Sequence, residues 1–321
     1  MQKPFLALLF ATASTVMLHV NAGAIPANSR NQSVVPLEVV PSPPAPSRDE
    51  VIRFWTPARM EAAWPPGPGF DHRFPIEPPL DARADQSGYT LVQAPYANRP
   101  LSRITGILFF HASSDPNEGL HHCSASVIHS RSGNLILTAA HCIYQAHVWH
   151  DMLMFVPAFN GMQPVPFEKW PIRVAFMPGQ GAPGSPETDI AVGRVYSLPS
   201  GKTLEAEVAG SLQPHVSTTE VFPLVRDMGY PSYAIPGDGP YLYAQQRECD
   251  SHTRQNEEFR SLVLLNCAPQ QGNSGGPIVR VYSSPIEVVA VFAKITPDSG
   301  QPRLLPDTFI PIYRAADSLS P

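Results

Sequence analysis

From Ile104 to its C-terminus the sequence predicts an all-β fold, a barrel or sandwich of short strands. Three observations predict it. Runs rich in β-branched and aromatic residues recur between turn signals: Ile104–Phe110, Ser124–Ile128, Leu135–Thr138, Ile278–Tyr282, Val288–Phe292 and Phe309–Ile312. Only Ala140–Tyr144, Gln255–Phe259 and the C-terminal Tyr313–Ser318 have helical character, the last giving a short C-terminal helix. No heptad or internal repeat runs through the chain.

Taken in order, residues 1–24 read as a secretory signal peptide. Lys3 supplies the positive start, Phe5 to Val20 is mostly apolar, and the small residues Ala22-Gly23-Ala24 follow. The apolar run falls short of the roughly 20 residues that a spanning helix needs. No later segment has that character, so no membrane partner is expected. Residues 25–98 read as an irregular, proline-rich prosegment or N-terminal arm. The chain holds 38 prolines in 321 residues, more than twice ordinary usage, and Pro41-Ser42-Pro43-Pro44-Ala45-Pro46 and Trp64-Pro65-Pro66-Gly67-Pro68-Gly69 favour extended backbone. Phe54, Trp55, Trp64, Phe70 and Phe74 are unusual in a mere linker and imply that part of the arm packs on the β domain. Residues 99–321 form that domain. A charged fraction of 15% and a net charge of −5 argue against a nucleic-acid surface. Four cysteines allow three pairings and fit an exported chain. No C-x-x-C pair is present, which leaves a structural zinc site without support.

Two segments carry chemistry. Gly272-Asn273-Ser274-Gly275-Gly276-Pro277 can set a serine hydroxyl in a tight turn with inward backbone N–H groups. Leu137-Thr138-Ala139-Ala140-His141-Cys142 can set a histidine at the end of an apolar strand. A serine needs a base to take its proton and donors to hold the oxyanion that follows. A carboxylate should orient the imidazole, and Asp189, just ahead of the apolar Ile190-Ala191-Val192, is the candidate. Gly272 to Gly276 also satisfies G-x-S-x-G, the nucleophile elbow of α/β-hydrolases. That fold needs its histidine after the serine, whereas the last histidine here is His252. Pro277 and the strand-like Ile278–Tyr282 also do not suit a strand–turn–helix elbow.

The order His141, Asp189, Ser274 is that of chymotrypsin-like double β-barrels. With Ile104–Phe110, Cys123-Ser124-Ala125-Ser126, Gly229-Tyr230-Pro231 and Asn266-Cys267, the chain resembles the trypsin/chymotrypsin-like serine proteases over residues 100 to 315. It is most similar to the secreted microbial glutamyl endopeptidase-like branch. The resemblance implies a double six-stranded β-barrel and a secreted, extracellular, monomeric serine endopeptidase acting on polypeptide substrates without a cofactor or metal. It implies His141 as base, Asp189 as its orienter, Ser274 as nucleophile, and the N–H groups of Gly272 and Ser274 as the oxyanion hole. It also implies the disulfide Cys123–Cys142, which leaves Cys249 with Cys267. Residues implied at the substrate pocket are Ala268, six before the serine, and Val291, Phe292 and Ala293 after the next strand.

The chain departs from the family pattern at several places. In animal trypsins an aspartate precedes the serine and pairs with a freshly cut N-terminus; Asn273 carries no charge for that. This removes the electrostatic reason for a cut at Arg103–Ile104. Ala268 supplies no counter-charge for a basic P1 side chain, and Phe292 stands where Glu-specific relatives carry histidine, so an uncharged P1 residue is expected. A catalytically silent binding protein, or a protease limited to self-processing, is the alternative. His111, His121, His122, His147 and His150 lack a matching ligand set, and Asp115, Asn117 and Glu118 lack an EF-hand pattern.

Overall fold

The computed structural model describes residues 38–63, 76–112, 119–179, 183–232, 244–293 and 300–320. The signal segment expected at 1–24, the Trp64–Gly69 run, Phe70, Phe74 and the acidic loop residues Asp115, Asn117 and Glu118 lie outside them. In chain order the arm carries β1 (Val39–Pro41), α1 (Arg48–Phe54), α2 (Pro57–Ala62) and β2 (Thr90–Leu91). A short α3 (Pro100–Ile104) leads into β3 (Thr105–His111), β4 (Leu120–Ile128) and β5 (Leu135–Thr138). A small hairpin, β6 (Tyr144–Gln145) with β7 (Val148–Trp149), precedes β8 (Asp151–Pro157), β9 (Trp170–Pro178) and β10 (Ala191–Val195). After α4 (Leu204–Val208) come β11 (Gln213–Pro214), β12 (Val225–Gly229), β13 (Arg247–Ser251), β14 (Thr253–Gln255) and β15 (Ser261–Leu264). The chain ends with β16 (Pro277–Arg280), β17 (Glu287–Val291), β18 (Gln301–Pro302) and α5 (Phe309–Asp317).

Six strands close the first barrel in the order β9-β10-β5-β4-β3-β8, with β8 returning to β9 and β1 added outside β9. The second half is a six-stranded sheet, β11-β17-β16-β12-β13-β2, beside the three-stranded β14-β15-β18. An Ala290–Arg303 bridge links them. Among the described residues no helix is long and apolar enough to cross a membrane. Disulfides join Cys123 to Cys142 and Cys249 to Cys267.

The strands form where the sequence places β-branched and aromatic residues, and the two-residue alternation sorts their side chains. On β3, Leu108 and Phe110 face the first barrel's interior, while Ile107 and Phe109 join a separate buried cluster outside it. On β8, Phe155 points in and Met154 and Val156 point out. The outward residues are apolar because the arm covers them: Val51, Trp55 and Met60 complete that outer cluster. Although proline-rich, this part of the arm contains regular helices with local caps. Ser47 and Glu50 form a capping box on α1, and Thr56 caps α2 with Pro57 at its first position. Trp55 is fully buried; its Nε1–H donates to Met152 O at 2.5 Å, and Lys169 Nζ donates to its carbonyl at 3.1 Å.

Three local expectations are revised. Phe309–Ile312, read as a strand, opens α5, because Phe309, Ile312 and Ala316 bury one helical face. Gln255–Phe259, read as helical, is β-strand followed by a turn in which Asn256 Oδ1 accepts from the N–H groups of Glu258 and Phe259. Ala140–Tyr144 contains only a 3-10 turn, Ala140–Cys142. Arg103 and Ile104 sit inside α3 with Ile104 buried in the first core.

Trp55→Ala removes a fully buried indole and is expected to destabilise the protein by about 3–5 kcal/mol. Urea unfolding of the full chain would show it; a change below about 1 kcal/mol would mean that the arm does not belong to the cooperative unit.

Candidate active site

His141 and Asp189 meet because β5 and β10 are antiparallel neighbours, with Ala191 opposite Thr138. The C-terminal end of one strand therefore lies beside the start of the other. His141 follows β5 in the 3-10 turn, and Asp189 precedes β10 in a turn closed by its own N–H to Ser185 O. Asp189 uses both oxygens on one residue: Oδ1 accepts from the His141 backbone N–H at 2.9 Å, and Oδ2 pairs with Nδ1 at 2.8 Å. A carboxylate only accepts, so Nδ1 carries the proton and the neutral ring keeps its lone pair on Nε2. The Asp189 side chain is 2% exposed and that of His141 11%.

Ser274 lies in the turn ahead of β16, which glycines shape. Gly272 has φ +84°, and a Cβ there would stand 2.5 Å from Tyr230 O and 3.1 Å from His122 Nε2. Gly275, at φ +85°, packs onto Ser124 O and Thr138 Oγ1. The turn is bound to the first barrel through the buried Ser124 on β4. Ser124 N–H donates to Ser274 O at 2.7 Å, and Ser124 Oγ donates to Gly272 O at 2.8 Å. Cys142, next to His141 and bonded to Cys123, places its Sγ 3.8 Å from Ser274 O. The histidine turn and the serine turn thus share the Cys123-Ser124 point. No hydrogen bond joins Ser274 Oγ to His141 Nε2 among the described residues.

The backbone N–H groups of Gly272 and Ser274 donate to no acceptor among the described residues, and planar trans peptides explain their direction. Gln271 O accepts from Ser232 N at 2.8 Å, which turns the Gly272 N–H the opposite way. Asn273 O accepts from Gly276 N at 2.8 Å and does the same for Ser274. The arm reaches this loop as well. His122 Nδ1–H donates to Ala63 O at 2.8 Å, and its Nε2 accepts from Ser232 Oγ at 3.0 Å. Burial lowers His122 to about 4, so it stays neutral in this chain of bonds.

The residues expected at the pocket are all buried. Ala268 N–H donates to Ser87 O at 2.9 Å, and Ala293 N–H to Gln301 Oε1 at 2.6 Å. Val291 packs in the first core and Phe292 in the cluster of Tyr89, Phe222 and Leu262. The segment 291–293 presents backbone: Phe292 O accepts from Gly275 N and its N–H donates to Gly276 O. Gln270, not singled out from sequence, is buried with neither amide atom partnered among the described residues. The remaining histidines are placed individually. His111 pairs with Asp151 at 2.7 Å, His150 stacks on Phe110 at 4.6 Å, and His147 is exposed. Cys123, Cys142 and His141 bring three donor atoms within 4.8 Å, but both sulfurs are spent in the disulfide, so no thiolate is offered to a metal.

Sequence reasoning also missed the group behind the serine. Asn273 is fully buried and its Nδ2 donates to Asp227 Oδ2 at 2.6 Å; the Tyr89 hydroxyl donates to the same oxygen at 2.5 Å. An aspartate inside the strand Val225–Gly229 was the available signal. Burial raises Asp227 from 3.8 to about 7, against the pull of Tyr89, Asn273 and the Met228 backbone. Between about pH 4 and 7 the folded protein therefore holds a proton that the unfolded chain has released. The stability from this group is full below about 4 and is lost as pH rises through about 7. Asp227→Asn, uncharged throughout, should gain on the wild type in melting temperature as pH is raised from about 5 to about 8. A difference that stays flat across that range would contradict a buried, protonated Asp227.

The family model described as Trypsin matches residues 107–319. Comparison with curated protein sequences gives no match. Among solved structures the chain is similar to the protease Anisep from Arthrobacter nicotinovorans, at 20% identity and a TM-score of 0.55 over 68% of this chain and 98% of that one. It is similar to the thermostable serine protease AL20 from an extremophilic microorganism, at 19% identity and a TM-score of 0.54 over 68% and 99% of the two chains. It is also similar to a Glu endopeptidase solved in complex with MPD, at 16% identity and a TM-score of 0.51 over 74% and 100%. These likenesses show the fold. With a family model spanning about two-thirds of its length, the chain belongs to the trypsin-like serine protease family.

Proposed function

We propose that the protein is a secreted serine endopeptidase with His141, Asp189 and Ser274 as its triad. The observation that carries this reading is the two-point grip of Asp189 on His141, which fixes both ring orientation and tautomer. Ser274 Oγ attacks the scissile carbonyl carbon as its proton passes to His141 Nε2. The carbonyl oxygen becomes an oxyanion held by the N–H groups of Gly272 and Ser274. His141 then gives the proton to the leaving amine, and an acyl-enzyme remains on Ser274. Water, deprotonated by the same imidazole, releases the acid product and restores the hydroxyl. The two disulfides and the leader-like residues 1–24 support export.

The substrate pocket accepts uncharged P1 side chains in this reading. The segment Ala268-Pro269-Gln270-Gln271 carries no charge, and Phe292 replaces a histidine with a buried ring. A P1 guanidinium, ammonium or carboxylate would be buried without a partner, at a cost of several kcal/mol.

Two experiments test this. An organophosphonate should label the secreted protein at Ser274 alone, and His141→Ala should lower kcat by at least about 10⁴-fold; labelling at an undiminished rate in that variant would sink the triad. A peptide library varied at P1 should show cleavage after uncharged residues, whereas a strong preference for Arg, Lys or Glu would refute the neutral pocket.

A further inference from the structure

Ahead of the first barrel in the chain, residues 76–92 are bound to the segment that feeds the serine turn. Glu77 N–H donates to Leu265 O at 2.7 Å, Asn266 Nδ2 donates to Pro78 O at 2.8 Å, and Ala268 N–H donates to Ser87 O at 2.9 Å. The contact is close at Gly88, whose φ is +89° and whose missing Cβ leaves room for Asn266 O. β2 then pairs with β13, Leu91 opposite Arg247 and Thr90 opposite Glu248. This aims the Tyr89 ring into the second core, where it is fully buried beside Phe222, Leu262 and Phe292. Its hydroxyl emerges at Asp227, and Asp227 in turn holds the side chain of Asn273, the residue before Ser274. Asn273 Nδ2 also lies 3.3 Å from the Tyr89 oxygen, so the three side chains close a triangle.

Every side chain of this triangle is inaccessible to solvent. Its only evident job is mechanical: it fixes the side chain of the residue whose peptide presents the Ser274 N–H. We propose that Tyr89, acting through Asp227 and Asn273, is a positioning residue for the nucleophile turn, and that residues 76–92 are a permanent part of the active enzyme rather than a removable prosegment. The inference rests on Ser274 being the nucleophile. An uncharged asparagine is then the fitting residue at 273, because its anchor is the Asp227 carboxyl, held by Tyr89 of the same chain, and needs no new α-ammonium group.

The test uses the full secreted chain. Tyr89→Phe keeps the ring in its core and removes one oxygen; kcat and the rate of phosphonate labelling of Ser274 should each fall about 10- to 100-fold, with KM moved less than about threefold. Should that variant not fold, Asn273→Ser cuts the same triangle from the other end and carries the same expectation. Tyr313→Phe supplies the control: it removes, from the C-terminal helix and outside the triangle and the arm, the hydroxyl that donates to His129 O at 2.9 Å, and should leave kcat per folded molecule unchanged. Wild-type kcat in a folded Tyr89→Phe or Asn273→Ser protein would overturn the proposal, as would an equal kcat loss in Tyr313→Phe. A wild-type protein that is active but unlabelled at Ser274 would overturn the triad and this inference together, whereas an active, labelled wild type with an unaffected Tyr89→Phe would overturn this inference alone.

Discussion

A single buried serine on the first barrel governs the geometry of the loop that carries another. Ser124 gives its N–H to Ser274 O and its hydroxyl to Gly272 O, while its own hydroxyl oxygen accepts from Tyr230 N at 2.9 Å and its carbonyl from Thr138 Oγ1 at 2.9 Å. Every polar atom of that residue is therefore spent on a contact between the two halves or beside the histidine strand. An alanine here would leave the Gly272 carbonyl and the Tyr230 N–H unpaired in a region closed to water, and unmade buried bonds are costly. Gly229 and Gly275 follow from the same constraint, since a Cβ at either would collide with Ser124.

The first barrel is apolar on two faces along β3 and β8, which an isolated barrel in water could not sustain. The arm resolves this by covering Ile107, Phe109, Met154 and Val156, and its Ala63 carbonyl then meets His122 at the edge of the serine turn. Packing and site are therefore linked: the segment that closes the outer core also sets the imidazole that orients Ser232, and Ser232 in turn holds the Gln271 peptide.

Much of this was legible in the sequence, and the reason is locality. The serine turn needs glycines at defined offsets, the histidine turn follows an apolar strand, and the strands themselves are short runs of β-branched residues. The arm's helices also had local signals, Ser47 with Glu50 and Thr56 with Pro57, but proline density outweighed them. Phe309–Ile312 was ambiguous because its three apolar residues around Pro311 fit either period, and the burial of Ile312 and Ala316 with Phe309 selects the helix. What no local pattern encodes is the triangle of Tyr89, Asp227 and Asn273, whose members lie 138, 46 and 184 positions apart. The Ser124 hub was hidden in the same way, since a serine in an apolar strand reads as an ordinary β residue until its partners are known.

The Cys123–Cys142 bond has a further consequence. It ties the turn bearing His141 to the residue beside Ser124, so one covalent link joins the supports of the histidine turn and the serine turn. A thiol pair at the same positions would leave the histidine turn held by non-covalent contacts, among them Asp189 and the His150 N–H bonded to Ile143 O. The redox state of the surroundings thus bears on the proposed site: a newly made chain in a reducing cytosol lacks the cross-link, and acquires it where thiols are oxidised. For the exported peptidase proposed above, that arrangement would separate the place of synthesis from the place where peptide bonds are cut, using the same sulfur atoms that shape the site.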